Sequence, residues 1–198
     1  MLKKKLKIGI MLFSLLIAGG TVTTAKAYNR DDAQQYAERW AESYNTNKYY
    51  IANLDCTNFV SQCLEAGGKR RSSSLPSYED TSRWRPHSAT WENADYFRRY
   101  WKNHASHVYG RNLSGLTYSN KMDVADNIKR TIQKGDVIQY GTGATNMCHS
   151  QIAHGYSTFN GRATLLMAQH TSGQKGIYMH QYILSTTYSY VKYYDMTD

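Results

Sequence analysis

The period of the hydrophobic pattern changes once along the chain, at Lys134-Gly135, and this change constrains the fold more than any other feature. Upstream, apolar residues recur at helical spacing over four segments, at about 31–45, 56–66, 91–102 and 121–133. Downstream, the segments DVIQY, HSQIAHGYSTF, RATLLMAQHT and YSYVKYY alternate with a period of two. The dipeptide Asn160-Gly161 predicts a tight hairpin between the middle two. Helices followed by strands predict an α+β domain with an antiparallel sheet.

The N-terminus predicts a secretory signal peptide over residues 1–27, cut after Ala27. Four lysines precede an apolar run from Ile8 to about Ala18, and the triplet Ala25-Lys26-Ala27 follows. The run is shorter than the roughly 20 residues of a membrane span. We therefore expect residues 28–198 to be one secreted, soluble domain that is extracellular or associated with the cell wall.

The charge balance indicates which partners to expect. The net charge is +9, but five of the 24 basic residues and none of the 15 acidic ones lie in the predicted signal peptide, which leaves 19 against 15, or +4. This charge favours anionic surfaces such as cell-wall polymers, although a solvated basic surface explains it equally well. With one short basic run, Lys69-Arg70-Arg71, we expect no nucleic acid partner. We also expect a monomer with no cofactor and no membrane contact after cleavage.

Cys56 is the strongest candidate for a reactive residue. It stands at the start of a predicted helix, where free N–H groups and the helix dipole stabilise a thiolate. Asp55 precedes it and is expected to cap the helix with its carboxylate. Packing as a small apolar residue is the alternative, and it suits Cys63 better than Cys56. Cys148 is interpreted as a packing residue or a bystander thiol rather than a second nucleophile.

Two histidines are candidates for the base that a thiol nucleophile needs. With Asn160 and Gly161 as a two-residue loop, His149 faces Ser172, and His170 is its diagonal neighbour on the same face of the sheet. A four-residue loop would place the two histidines directly opposite each other. Two histidines on one face of a sheet could also be a surface feature or two ligands of a zinc ion. Because the sequence supplies no further ligands at metal-like spacing, no metal site is predicted.

The same segments carry a family resemblance. YNRDDAQQYAERWAESYN, DCTNFVSQCLEAGG, KGDVIQY, HSQIAHGYS and AQHTS resemble the amidase domain family of secreted bacterial proteins, a branch of the papain-like cysteine hydrolases alongside the NlpC-type and CHAP cell-wall peptidases. The resemblance covers nearly all of the mature chain. It implies a papain-like fold, with N-terminal helices packed on the antiparallel sheet. It also implies Cys56 as nucleophile, His149 as base and His170 in the third position, where it is expected to fix the tautomer of His149 through the other ring nitrogen.

The expected reaction is hydrolysis of an amide in peptidoglycan through a thioester. The N–H group of Cys56 is the first expected oxyanion donor, and Tyr50 or Asn53 the second. Trp84 and Trp91, around the long loop of residues 69–90, are candidates for a groove wall, with a role as core anchors as the default. A non-catalytic wall-binding module, an acyltransferase and an effector that acts on another substrate remain alternatives.

Overall fold

The structure, a computed structural model, describes residues 27–74 and 77–197. Except for Ala27, the predicted signal peptide lies outside the described residues. The helices are α1 (Arg30–Trp40), α2 (Cys56–Ala66), α3 (Ala89–Glu92), α4 (Ala94–Trp101), α5 (Tyr118–Thr131) and α6 (Met179–Ser185). The strands are β1 (His107–Asn112), β2 (Val137–Gly143), β3 (Asn146–Phe159), β4 (Arg162–Gln169), β5 (Gln174–Tyr178) and β6 (Tyr190–Asp195).

The predicted elements are present, with changes at their ends. The helix predicted over 31–45 ends at Trp40, and the one predicted over 91–102 is broken at Asn93. The Asn93 side chain accepts hydrogen bonds from the N–H groups of Asp95 and Tyr96, so it starts a new helix there. The sequence pattern did not predict β1, β5 or α6.

The six strands form one antiparallel sheet in the order β1-β6-β2-β3-β4-β5. The hairpin predicted between β3 and β4 is confirmed: Phe159 pairs with Arg162, and the loop residues Asn160 and Gly161 have φ values of 48° and 76°. Positive φ at both loop residues is what a tight hairpin of this kind requires. Further along the hairpin, a bulge at Ala153–Gly155 shifts the register by one residue.

Helices cover both faces of the sheet, so the molecule is a mixed α/β protein. Helices α1 to α4 lie on one face, in a core that contains Phe59, Leu64 and Ile152. Helices α5 and α6 lie on the other, around residues such as Ile128 and Leu165. The predicted layer of N-terminal helices on the sheet is therefore one of two helical layers. None of the helices in the described ranges is long and apolar enough to cross a membrane.

Candidate active site

Cys56 is the first residue of α2, where the helix meets strand β3. Its side chain is 5% exposed, and its sulfur accepts a hydrogen bond from the N–H group of Ser150. The next residue, Thr57, shares a hydrogen bond of 2.9 Å with the Ser150 hydroxyl. Phe59 and Val60 anchor the same helical turn in the core. The helix therefore holds the sulfur against β3, one residue from His149.

Cys56 and His149 are hydrogen-bonded to each other, and each shifts the pKa of its partner. Burial would raise the pKa of Cys56, but the hydrogen bond and the charge of His149, helped by the Ser150 N–H group, lower it. Burial would lower the pKa of His149, but Cys56 and then Gln169 raise it. Both shifts favour a thiolate beside an imidazolium, which is the reactive form of a cysteine nucleophile.

Gln169 fixes the orientation of the His149 ring. Its Nε2 donates to the Ser172 hydroxyl at 3.1 Å and to the Thr171 carbonyl at 3.5 Å, so its Oε1 faces His149. His149 Nε2 therefore carries the hydrogen and donates it to Oε1 at 2.7 Å. Gln151 donates to the same oxygen at 2.6 Å. With Nε2 occupied, Nδ1 is the nitrogen that remains to exchange a proton with Cys56.

The prediction that His170 orients His149 is wrong. The bulge at Ala153–Gly155 adds one residue to β3, and a shift of one residue moves side chains to the opposite face of a sheet. As a result, Gln169 rather than His170 shares a face with His149. The outer part of the hairpin has the predicted register, and the error enters only at the bulge.

His170 instead binds Asp55, which does not cap α2 as predicted. The Asp55 side chain makes no hydrogen bond to the first turn of the helix. Its Oδ2 contacts His170 Nδ1, and its Oδ1 accepts from the Ala52 N–H group at 2.8 Å and from Asn58 Nδ2 at 2.7 Å. The first-turn amides, including that of Cys56, are therefore not occupied by the Asp55 carboxylate. The amide of Cys56 still fits the role of an oxyanion donor.

Of the two candidates for a second oxyanion donor, Tyr50 is used elsewhere. Its hydroxyl donates to the Glu92 carboxylate and accepts from the His87 N–H group at 3.2 Å. The hydrogen that would stabilise an oxyanion is therefore already engaged. Asn53 lies exposed, three residues before Cys56, and is the candidate that remains.

Trp84 and Trp91 do not form a groove wall. Both side chains are 0% exposed, and their rings pack at 4.5 Å from each other in the core. The indole N–H groups donate into α2, from Trp84 to Ser61 at 3.1 Å and from Trp91 to Asn58 at 2.7 Å. The default interpretation as core anchors is therefore correct, because tryptophan in a core needs an acceptor for its N–H group.

Tyr140 and Tyr182 line the site instead. The sequence contains eighteen tyrosines, but its pattern did not indicate which of them lie here. The His149 ring lies 6.0 Å from the ring of Tyr182 and 6.4 Å from that of Tyr140. Burial, then Tyr188 and the charge of Cys56, raise the pKa of Tyr182 to about 12. Tyr182 belongs to α6, and since the sequence pattern does not predict α6, it gave no signal for this wall.

The other two cysteines differ from Cys56. Cys63 is completely buried, and burial raises its pKa well above the ordinary value, as expected of a packing residue. Cys148 is exposed, with its sulfur 3.8 Å from the Asn146 carbonyl oxygen. Cys56 is therefore the cysteine with both a base and a lowered pKa.

A buried hydrogen-bond network of Thr, His and Asp lies between β4 and the helices α5 and α6, apart from Cys56. Thr164 and His180 share a hydrogen bond of 2.8 Å, and His180 Nε2 contacts Asp126 Oδ1 at 3.0 Å. Both Thr164 and His180 are 0% exposed, so no substrate can reach the hydroxyl. This network joins α5 and α6 to β4. In the described part of the chain, no group of three or more His, Cys, Asp or Glu residues could hold a metal ion.

Comparison with known proteins identifies the family. Residues 27–195 match the model of the family described as "Putative amidase domain". Because this match spans most of the chain, the chain belongs to that family. Membership makes it an amidase-like hydrolase, a class that acts on C–N bonds.

A curated relative gives a shorter match. Over 80 residues the chain is 40% identical to the uncharacterized protein YjcM of Bacillus subtilis (strain 168). The aligned part is 40% of this chain and 17% of YjcM, so it covers far less than two thirds of the relative. The comparison with solved structures found no match.

Proposed function

We propose that the protein is a secreted, papain-like cysteine amidase, related to the NlpC-type and CHAP peptidases, that hydrolyses an amide bond in bacterial peptidoglycan. The observation that supports this most strongly is the chain of contacts from Cys56 through His149 to Gln169. A thiol, a base and a group that orients the base are the parts that nucleophilic catalysis requires.

Proton transfer from the Cys56 thiol to His149 Nδ1 gives the thiolate–imidazolium pair from which the reaction starts. The thiolate attacks the amide carbonyl, and the Cys56 N–H group, which the Asp55 carboxylate leaves unoccupied, donates to the developing oxyanion. The His149 imidazolium then gives its proton to the leaving amine as the C–N bond breaks. Water, activated by the neutral His149, hydrolyses the thioester and releases the acid and the free thiol.

A cell-wall substrate is supported by two features of the mature chain. Its net charge of +4 suits an anionic wall polymer. The half-buried Tyr182 and Tyr188 beside the nucleophile offer rings and hydroxyls, which suit both sugar faces and peptide edges.

The test is to incubate the purified protein with purified cell walls and to identify each newly exposed amine by mass spectrometry. We expect amine release that is lost in the Cys56→Ala variant. Equal release by Cys56→Ala would remove the proposed nucleophile. Binding without release would instead indicate a wall-binding module, and new amide formation with an added amine would indicate an acyltransferase.

The proposed export has its own test. N-terminal sequencing of the protein recovered from the medium of an expressing bacterium should begin at Tyr28. Recovery of the uncut chain from the cells alone would contradict secretion.

A further inference from the structure

A pocket of about 390 Å³ lies beside the loop that leads to the nucleophile. Its lining residues are Tyr50, Ile51, Ala52, Asn53, Leu54, Tyr78, Glu92 and Asn93. Leu54 stands two residues before Cys56, so the two Cα atoms are at most about 8 Å apart. A substrate held at Cys56 can therefore extend into this pocket.

Asn58 attaches both sides of the pocket to the helical turn of Cys56. Its Nδ2 donates to the Tyr50 carbonyl at 3.0 Å, which holds the loop side. Its Oδ1 accepts from the Trp91 indole at 2.7 Å, which holds the side that carries Glu92. Asn58 therefore fixes both walls of the pocket relative to the Cys56 sulfur.

Glu92 gives the pocket a negative charge that no Lys or Arg side chain pairs with in the part of the chain that the structure describes. The hydroxyls of Tyr50 and Tyr78 both donate to its carboxylate, and both tyrosine pKa values are raised, by burial first and then by this contact. The His87 N–H group donates to the Tyr50 hydroxyl, so the Tyr50 hydrogen must point to Glu92. None of the ion pairs among the described residues includes Glu92.

The rest of the pocket wall combines aliphatic and aromatic side chains with the amides of Asn53 and Asn93. Ile51 and Leu54 are 52% and 72% exposed, which is unusual for large aliphatic side chains that stand together. The ring of Tyr78 is also partly exposed, and tyrosine rings attract cations to their faces. Methylene groups would cover the aliphatic surface, while a positive charge would reach the carboxylate.

We propose that this pocket binds a primary ammonium group on an aliphatic stem, as in a basic residue of the peptide part of the substrate, with Glu92 as its charged partner. A sugar hydroxyl or a neutral amide would gain less, because only a cation supplies the charge opposite to Glu92. The proposal rests on the proposed amidase function, since it names the substrate group that lies next to the cleaved bond.

The experiment separates binding from catalysis by using the full chain with Cys56→Ala. Nα-acetyl-lysine methylamide is titrated and compared with its Nε-acetylated, uncharged form, while NMR follows the methyl groups of Ile51 and Leu54. We expect the charged probe to bind about five-fold more tightly, the effect of one partly exposed ion pair. Glu92→Gln should remove the difference and preserve the fold, because the glutamine Oε1 still accepts from Tyr50 and Tyr78.

Glu79→Gln is the matched control, since Glu79 lies in the same loop as Tyr78 but does not line the pocket. It should leave the preference for the charged probe unchanged. Equal binding of the two probes, or no shift of the Ile51 and Leu54 methyl groups, would overturn the proposal. If the charged probe binds more tightly but the active protein releases no amine from cell walls, the pocket assignment holds and the proposed hydrolase function is wrong. If amine is released but the two probes bind equally, the hydrolase function holds and the pocket assignment is wrong.

Discussion

His149 and His170 both lie near the start of α2, but only His149 is placed to accept a proton from Cys56. One nitrogen of His149 binds the Gln169 amide oxygen, and the ring is also hydrogen-bonded to the sulfur. In His170 both nitrogens face acceptors: Nδ1 contacts Asp55, and Nε2 lies 2.7 Å from the Trp40 carbonyl oxygen. Both nitrogens of His170 are therefore engaged by other groups, and neither is free to accept a proton from a thiol. The comparison teaches that the free nitrogen, rather than the presence of a histidine, decides which ring can act as a base.

The partners of the two rings differ in charge as well. The carboxylate of Asp55 contacts His170 Nδ1 in the core, and the His170 ring stacks on Phe59 with centroids 4.1 Å apart. Gln169 is neutral, so it holds His149 without cancelling the charge of the imidazolium. That charge is therefore available to stabilise the Cys56 thiolate. We expect substitutions at His149 to affect activity and those at His170 to affect stability.

The largest effect is expected from His149→Ala. Without the base, the thiol keeps its proton, and the rate of amide hydrolysis should fall by about 10²- to 10⁴-fold. Assays of amine release should show this loss, and a melting curve of the same variant, in which a buried side chain is removed, should show that it still folds. A variant that is equally active would mean that another group takes the proton.

His170→Ala should mainly destabilise the fold. It leaves the buried Asp55 carboxylate without its histidine partner, and leaving a buried polar group unsatisfied in this way costs about 1–3 kcal/mol. Urea unfolding should show the loss in the free energy of unfolding. The matched control is His107→Ala, because His107 is largely exposed and lies 3.8 Å from Asp195, and its effect should stay within about 0.5 kcal/mol. Similar stability of the two variants would mean that the contact between Asp55 and His170, which joins the start of α2 to the end of β4, does not stabilise the fold.

Gln169→Leu should reduce activity less than His149→Ala does. The base remains, but it loses the acceptor that fixes its tautomer. A hydrogen bond to a charged group contributes about 1.5–3 kcal/mol, or roughly ten- to hundred-fold in rate. Gln169→Glu keeps an acceptor oxygen at the same place and should retain more of the rate. Steady-state kinetics on one amide substrate would compare the two. Equal losses would show that the contact with His149 is not what matters at this position.

The pH dependence of kcat/KM should reflect the same pair. The active thiolate–imidazolium form exists above the pKa of Cys56, which is lowered, and below that of His149, which is raised. The profile should therefore be bell-shaped, with its acid limb below the ordinary thiol range and its alkaline limb above the ordinary histidine range. Because the Gln169 contact raises the pKa of His149, Gln169→Leu should move the alkaline limb to lower pH. An unmoved alkaline limb would mean that His149 does not set it.

The sequence predicted the parts of the site that depend on local patterns. The helical period predicted α2 with Cys56 at its start, and Asn160-Gly161 predicted the hairpin that carries His149. The prediction for the residue that orients His149 was wrong because a bulge has no signature in the period-two pattern. The one inserted residue places Gln169, instead of His170, beside His149. The predicted role of Asp55 was wrong for a related reason. Its partner His170 lies 115 residues away in the sequence, and capping rules, which use only neighbouring residues, carry no information on such a contact.

The smallest effect is expected from Trp91→Phe, which tests the hydrogen bonds that support the contact between Asp55 and His170. Trp91 donates to Asn58, and Asn58 in turn donates to Asp55 at 2.7 Å. Phenylalanine keeps most of the apolar packing but leaves Asn58 Oδ1 without this donor, a loss of about 1 kcal/mol in the free energy of unfolding. The KM for a cell-wall substrate should not change, since the ring is completely buried. A raised KM with unchanged stability would contradict the assignment of Trp91 to the core. It would instead support the alternative that Trp91 lines the substrate groove.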